Sequence, residues 1–236
     1  MNYRFLLLLL ILTMISSCAK DEEDIFSEPE LSEYEINVID YFKEIALGFE
    51  FGNASNITRK WNSDLRIFVG GKPNSELINE LENIKNEINE LTTDGFKVNI
   101  VNDIQQSNYY IFFGTGTEYA EKYPSQSNFI DSNWGLFSVL WNGQNQLFSG
   151  HMYVDIIRAN LTEQKHLLRE ELTQSLGLAK DSPLYIESIF QSTWTRTIQY
   201  TPIDEDLIRL LYHPKMGYGL NEKQVDNVLR EILISE

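Results

Sequence analysis

The 236-residue chain has 42% apolar residues, with 13 Phe, 12 Tyr and 4 Trp to fill a core, which excludes a disordered polymer. Its formal net charge is −16, which argues against nucleic acid and against docking on anionic lipid headgroups. The length fits one domain, or one domain with a small appendage.

The chain starts with a targeting segment, residues 1–17. Arg4 supplies the positive end, 5–12 form an unbroken apolar run, and Ser16 and Ser17 precede Cys18. The apolar run is short for a spanning helix. "ISSC" at 15–18 resembles a bacterial lipobox, which implies cleavage before Cys18 and lipidation of that residue, so that acyl chains hold the protein to a membrane. Cys18 is the only cysteine, so an exported chain has no internal disulfide. Residues 18–35 read as an acidic tether. "AKDEED" after the cysteine resembles the export tag of surface lipoproteins, which implies an outer-membrane lipoprotein facing outward in the cell envelope. Residues 36–236 are left for the domain.

Residues 31–47 carry Val38, Ile39, Phe42, Ile45 and Ala46 near helical spacing, and Gly48 stops them. "NASNITRKWNSD" (53–64) reads as a polar connection. "LRIFVGG" (65–71) reads as a strand, and Asn74 opens a long helix with Leu77, Leu81, Ile84, Ile88 and Leu91 on one face. "FKVNIV" (96–101) and "YYIFFG" (109–114) read as strands, the second continuous enough to be central. "GTGTEY" (114–119) lacks the glycine spacing of a phosphate loop and reads as a turn. Runs at 134–141 and 146–157 around "NGQN" predict a hairpin. A helix over 161–176 follows, with Asn160 and Glu163 placed as a capping box. Two more helices are predicted over 203–212 and 221–234. The order predicts a single α+β domain with a mixed sheet and a helical C-terminal part.

On a helical wheel, Leu161, Leu168, Leu172 and Leu176 form one stripe. Glu163, His166, Glu170 and Gln174 form the opposite one, with Glu171 to one side. Any half-buried helix shows such a pair of stripes. Yet "EELTQSLGL" (170–178) is also similar to the HExxH helix of zinc peptidases, where two ligands four apart share a metal and a Glu between them activates its water. Glu170 and Gln174 stand at the two ligand positions, Glu171 at the general base, and Asp181 is the nearest acid after the Leu-Gly turn. "SIF" (188–190) resembles the methionine turn of metzincins. Together with "DEDLIRLLYHP" (204–214) and "GYGL" (217–220), these segments resemble a bacterial secreted family of unknown function. The resemblance implies a zincin-like fold with an active-site-type helix, Glu171 as general base, and Glu170, Gln174 and Asp181 as metal ligands. Such an all-oxygen set disfavours zinc and suits harder divalent ions. His166, His151 and His213 have no ligand spacing. The expectation is a surface-anchored lipoprotein with a degenerate metallopeptidase-like site. The alternative is a non-catalytic binding module of the envelope that uses the former peptidase groove for a peptide, glycan or protein.

Overall fold

The computed structural model describes residues 30–236. The signal segment, Cys18 and the tether up to residue 29 lie outside the described residues. Residues 31–236 form one unit.

Six strands make one mixed sheet: β1 (Lys60–Trp61), β2 (Leu65–Gly71), β3 (Val98–Val101), β4 (Tyr109–Gly114), β5 (Gly135–Trp141) and β6 (Gln146–Asp155). β2 lies between β3 and β4, and β4 lies between β2 and β6, all parallel. β6 also pairs in parallel with the two residues of β1, and antiparallel with β5 along most of its length. The predicted hairpin is therefore the one antiparallel element, and β4 is central. β4 is buried on both faces, as its continuous apolar run requires: Tyr109, Ile111 and Phe113 join the main core, and Phe112 packs with Tyr119, Leu136 and Tyr153 on the other side.

Six helices are described: α1 (Glu33–Ala46), α2 (Ser75–Leu91), α3 (Gly116–Lys122), α4 (Leu161–Gln174), α5 (Pro202–Leu211) and α6 (Glu222–Ser235). Four of the five long helices begin where a side chain satisfies a first free N–H group. Ser32, Asn160 and Asn221 form reciprocal capping boxes, and Asn74 caps α2 alone. At the start of α5 the Asp204 carboxylate instead accepts from Thr201 N and Oγ1. α2 lays the predicted Leu77, Leu81, Ile84 and Ile88 on the core, all fully buried. α4 packs on β5, β6 and α2, and α1 packs against α5 and α6.

Two readings are corrected. Residues 114–119 are not only a turn, because Thr115 and Glu118 form a capping box that starts α3 at Gly116. The polar connection before β2 contains β1, held by its parallel pairing with Gln146 and Leu147.

Candidate functional site

The site is built on α4. Leu168, Leu172 and Leu176 are fully buried, as the wheel requires. The opposite stripe is not a solvated face. Glu163, His166, Glu171 and Gln174 are also buried, because β5 and the chain around residues 179–197 cover them. Arg169 points elsewhere, pairing with Glu80 at 2.8 Å and with Glu87, beneath the Tyr200 ring.

Just past α4, the chain turns at Gly177, with φ +116°. A Cβ there would stand 1.9 Å from the Arg59 carbonyl oxygen, so the turn admits only glycine. The carbonyls just past the helix are satisfied from β1 and from the residue that ends α5: Trp61 Nε1 donates to Ser175 O at 2.9 Å, and Tyr212 Oη donates to Leu176 O at 2.9 Å. Asp204, fully buried, gathers the "SIF" segment. It accepts from Ser188 Oγ at 2.6 Å, Ile189 N at 3.2 Å, Thr201 N at 2.9 Å and Thr201 Oγ1 at 2.7 Å. The "LGL", "SIF" and "DEDLIRLLYHP" segments are thus one hydrogen-bonded unit supporting the wall of the site.

Glu170, Glu171, Gln174 and Asp181 all line a cavity of about 570 Å³ between α4, the start of β5, and residues 179–194. Glu50 and His166 line it too. Glu171 is 8% exposed, and β5 makes room for it at Gly135, where a Cβ would stand 2.7 Å from Glu171 Oε1. The Gln174 amide donates from Nε2 to Asp181 Oδ1 at 2.5 Å. His166 Nδ1 lies 2.7 Å from the Thr197 carbonyl, an acceptor, so that nitrogen carries the proton. His166 Nε2 is then left as the acceptor, 3.3 Å from Glu170 Oε2.

Burial, and then the charges of Glu171, Asp181 and Glu50, push the Glu170 carboxyl well above its usual range. Burial lowers the His166 imidazole, partly offset by the Thr197 carbonyl. The two directions agree on a neutral pair, a Glu170 hydroxyl donating to His166 Nε2, rather than an ion pair. Burial and the charges of Asp181 and Glu50 also raise Glu171 far up, against the Phe137 backbone N–H. Asp181 is pushed up to about 7 by burial and Glu50, opposed by the Gln174 hydrogen bond. Burial raises Glu50 as well.

The positions expected to hold a metal are brought to one cavity but tied to other partners: Glu170 to His166, and Gln174 to Asp181. Among the described residues, no three His, Cys, Asp or Glu side chains are arranged to hold a metal ion. The set does not fit zinc, which wants imidazole or thiolate converging at about 2.0–2.3 Å. His151 is remote from this wall, bonded to Tyr119 Oη at 2.6 Å and stacked on Tyr123. His213 takes a hydrogen bond from the Lys215 backbone.

The lining residue Glu50 had no signal in the sequence. Glu50 follows α1 by a few residues and reaches the site because its backbone N–H bonds Ala179 O at 3.0 Å. Trp194 and Trp134 meet edge to face, 5.4 Å apart, at the cavity wall. Trp134 and Phe137 line the cavity, whereas Trp141 and Phe148 from the same hairpin are exposed.

A family model described as a protein of unknown function (DUF2927) matches residues 36–231. No curated protein matches the chain.

Proposed function

The chain belongs to the family described as a protein of unknown function (DUF2927), and from that membership and the cavity's geometry we propose that it is an envelope lipoprotein whose zincin-like domain binds a ligand in the groove beside α4 without metal-dependent catalysis. One observation carries the reading: the helix presents its polar residues to a cavity, yet Glu170 pairs with His166 and Gln174 with Asp181 instead of converging on an ion. The zincin-like scaffold is supported by the strand order β3-β2-β4-β6-β5, parallel but for the antiparallel edge strand β5, which runs beside α4. It is further supported by the "LGL" and "SIF" segments lying under the same cavity.

A second reading, an atypical metallopeptidase, draws on one feature: Glu171 is a buried carboxyl in the position of a general base. Incubating the protein and its Glu171→Gln variant with a denatured protein substrate, with Zn²⁺, Mn²⁺ or Ca²⁺ added in turn, separates the two. The binding reading expects no cleavage that depends on Glu171. Cleavage by the native chain and loss of it in the variant would establish the peptidase.

Anchoring rests on Cys18 and the "ISSC" preceding it. Among the described residues, no helix is long and apolar enough to cross a membrane. The Cys18→Ser variant is expected in the soluble fraction of cells that retain the native chain in the outer membrane. A variant that stays in the membrane fraction overturns the lipid anchor.

A further inference from the structure

We infer that the cavity beside α4 seats a primary ammonium or guanidinium group, the end of a lysine or arginine side chain of a peptide, between Glu171, Gln174 and Asp181. The inference rests on the binding reading and names the chemistry of the ligand.

The wall is one-sided in charge. Five carboxyls line it, and among the described residues no Lys or Arg does. Two of its groups turn acceptor oxygens to the cavity. Glu171, 8% exposed, has no side-chain partner among the described residues; the Phe137 backbone N–H is the one donor facing it. Gln174, 5% exposed, spends its Nε2 on Asp181, which leaves its Oε1 free to accept. A ligand that brings donors suits both. An ammonium has three donors and a guanidinium five, and neither has an acceptor.

A metal ion would also answer a surplus of acceptors. It needs several oxygens at fixed short distances, however, and no such group of three is present among the described residues. A flexible side chain can instead take its donors to acceptors spaced around a wall.

The aromatic residues fit the same ligand. Trp134, Trp194 and Phe137 give flat apolar surface for a methylene stem and a π-face for the cation. The cavity, about 570 Å³, is within the range of ordinary ligand pockets, so a side chain and part of its backbone fit inside.

The test is calorimetric titration of the full chain with the peptide Gly-Gly-Lys-Gly-Gly and with the same peptide acetylated on the lysine nitrogen. The lysine peptide is expected to bind saturably, and the acetylated one at least tenfold more weakly. Glu171→Gln and Asp181→Asn should each weaken the lysine peptide by tenfold or more, with the circular dichroism of the folded chain retained. Equal binding of both peptides, lost in neither variant, overturns the ammonium site and leaves the groove as a neutral binder. Cleavage of the peptide in a Glu171-dependent way overturns the binding reading itself. No binding of either peptide, in a native chain that is folded, overturns the inference.

Discussion

Replacing Gly177 with alanine is expected to cost about 2–6 kcal/mol of stability, combining overpacking and backbone strain of about 1–3 kcal/mol each. Most domains are stable by only about 5–15 kcal/mol, so the loss is a large share. The methyl group would meet backbone, not a yielding side chain: the Arg59 oxygen at 1.9 Å and its carbonyl carbon at 3.0 Å. The φ of +116° adds strain for any residue with a Cβ. Relief requires that Arg59 and β1 move away from the end of α4, which breaks the Trp61 hydrogen bond to Ser175. The same turn sends residues 178–181 toward the cavity, so ligand binding falls with stability. Gly217 is the control. A Cβ there meets only the Leu220 side chain, at 3.5 Å or more, so Gly217→Ala should lie within about 0.5 kcal/mol of the native chain. Urea unfolding followed by tryptophan fluorescence measures both. A Gly177→Ala midpoint equal to that of Gly217→Ala would contradict the close approach.

The Glu171→Gln variant should be more stable than the native chain at pH 8, by about 1–2 kcal/mol, the usual gain from relieving a strained functional site. A carboxyl whose folded pKa lies above its unfolded value takes up protons on folding. Its contribution is fully present below the unfolded value and is lost as pH rises through the folded one. For Asp181 that window runs from 3.8 to about 7, and Glu170 and Glu171 are shifted the same way. Their protonated forms suit the buried cavity, and ionising them there is the cost. Replacing Glu171 with glutamine removes one charge outright and relieves Glu170, which feels Glu171 most among its charged neighbours. Other groups titrate in the opposite sense. His166 and His151 are lowered by burial, His151 to about 4, and Asp155 and Asp226 are held down by Arg158, Arg230 and Lys43. Comparing variant with native chain at the same pH cancels those terms where they do not touch Glu171. Urea midpoints at pH 5 and pH 8 give the result: a gap between the two proteins that widens as pH rises. A variant that is less stable at pH 8 than at pH 5, relative to native, would contradict the raised carboxyl.

Local rules made much of this legible. The capping box of Asn160 and Glu163 starts α4 where expected, and the run 109–114 is the central strand. The Thr115–Glu118 box was present in the residues as well, but the glycines around it read more strongly as a turn. β1 is two residues long and has no periodicity of its own; only its partners in β6 define it.

The site was half legible. The wheel separated the leucine stripe from Glu170 and Gln174, and the resemblance to the zinc-peptidase helix named Asp181, which the structure brings against Gln174. Whether that polar stripe met water depended on cover from elsewhere. The cover comes from β5, from residues 179–197 and from Glu50, separated from α4 by up to more than a hundred residues of chain. Contacts at that range leave no local pattern. Pairings such as Glu170 with His166 follow from how deeply the groups are buried, which the spacing of residues does not contain.

The central claim is that the oxygen groups of the cavity serve an organic cation and not a metal. Calorimetric titration of the full chain with Zn²⁺ at neutral pH tests it most directly, with Asp181→Asn in parallel. The account predicts no saturable binding that differs between the native chain and the variant. Stoichiometric binding at micromolar or lower Zn²⁺, abolished by Asp181→Asn, would contradict it.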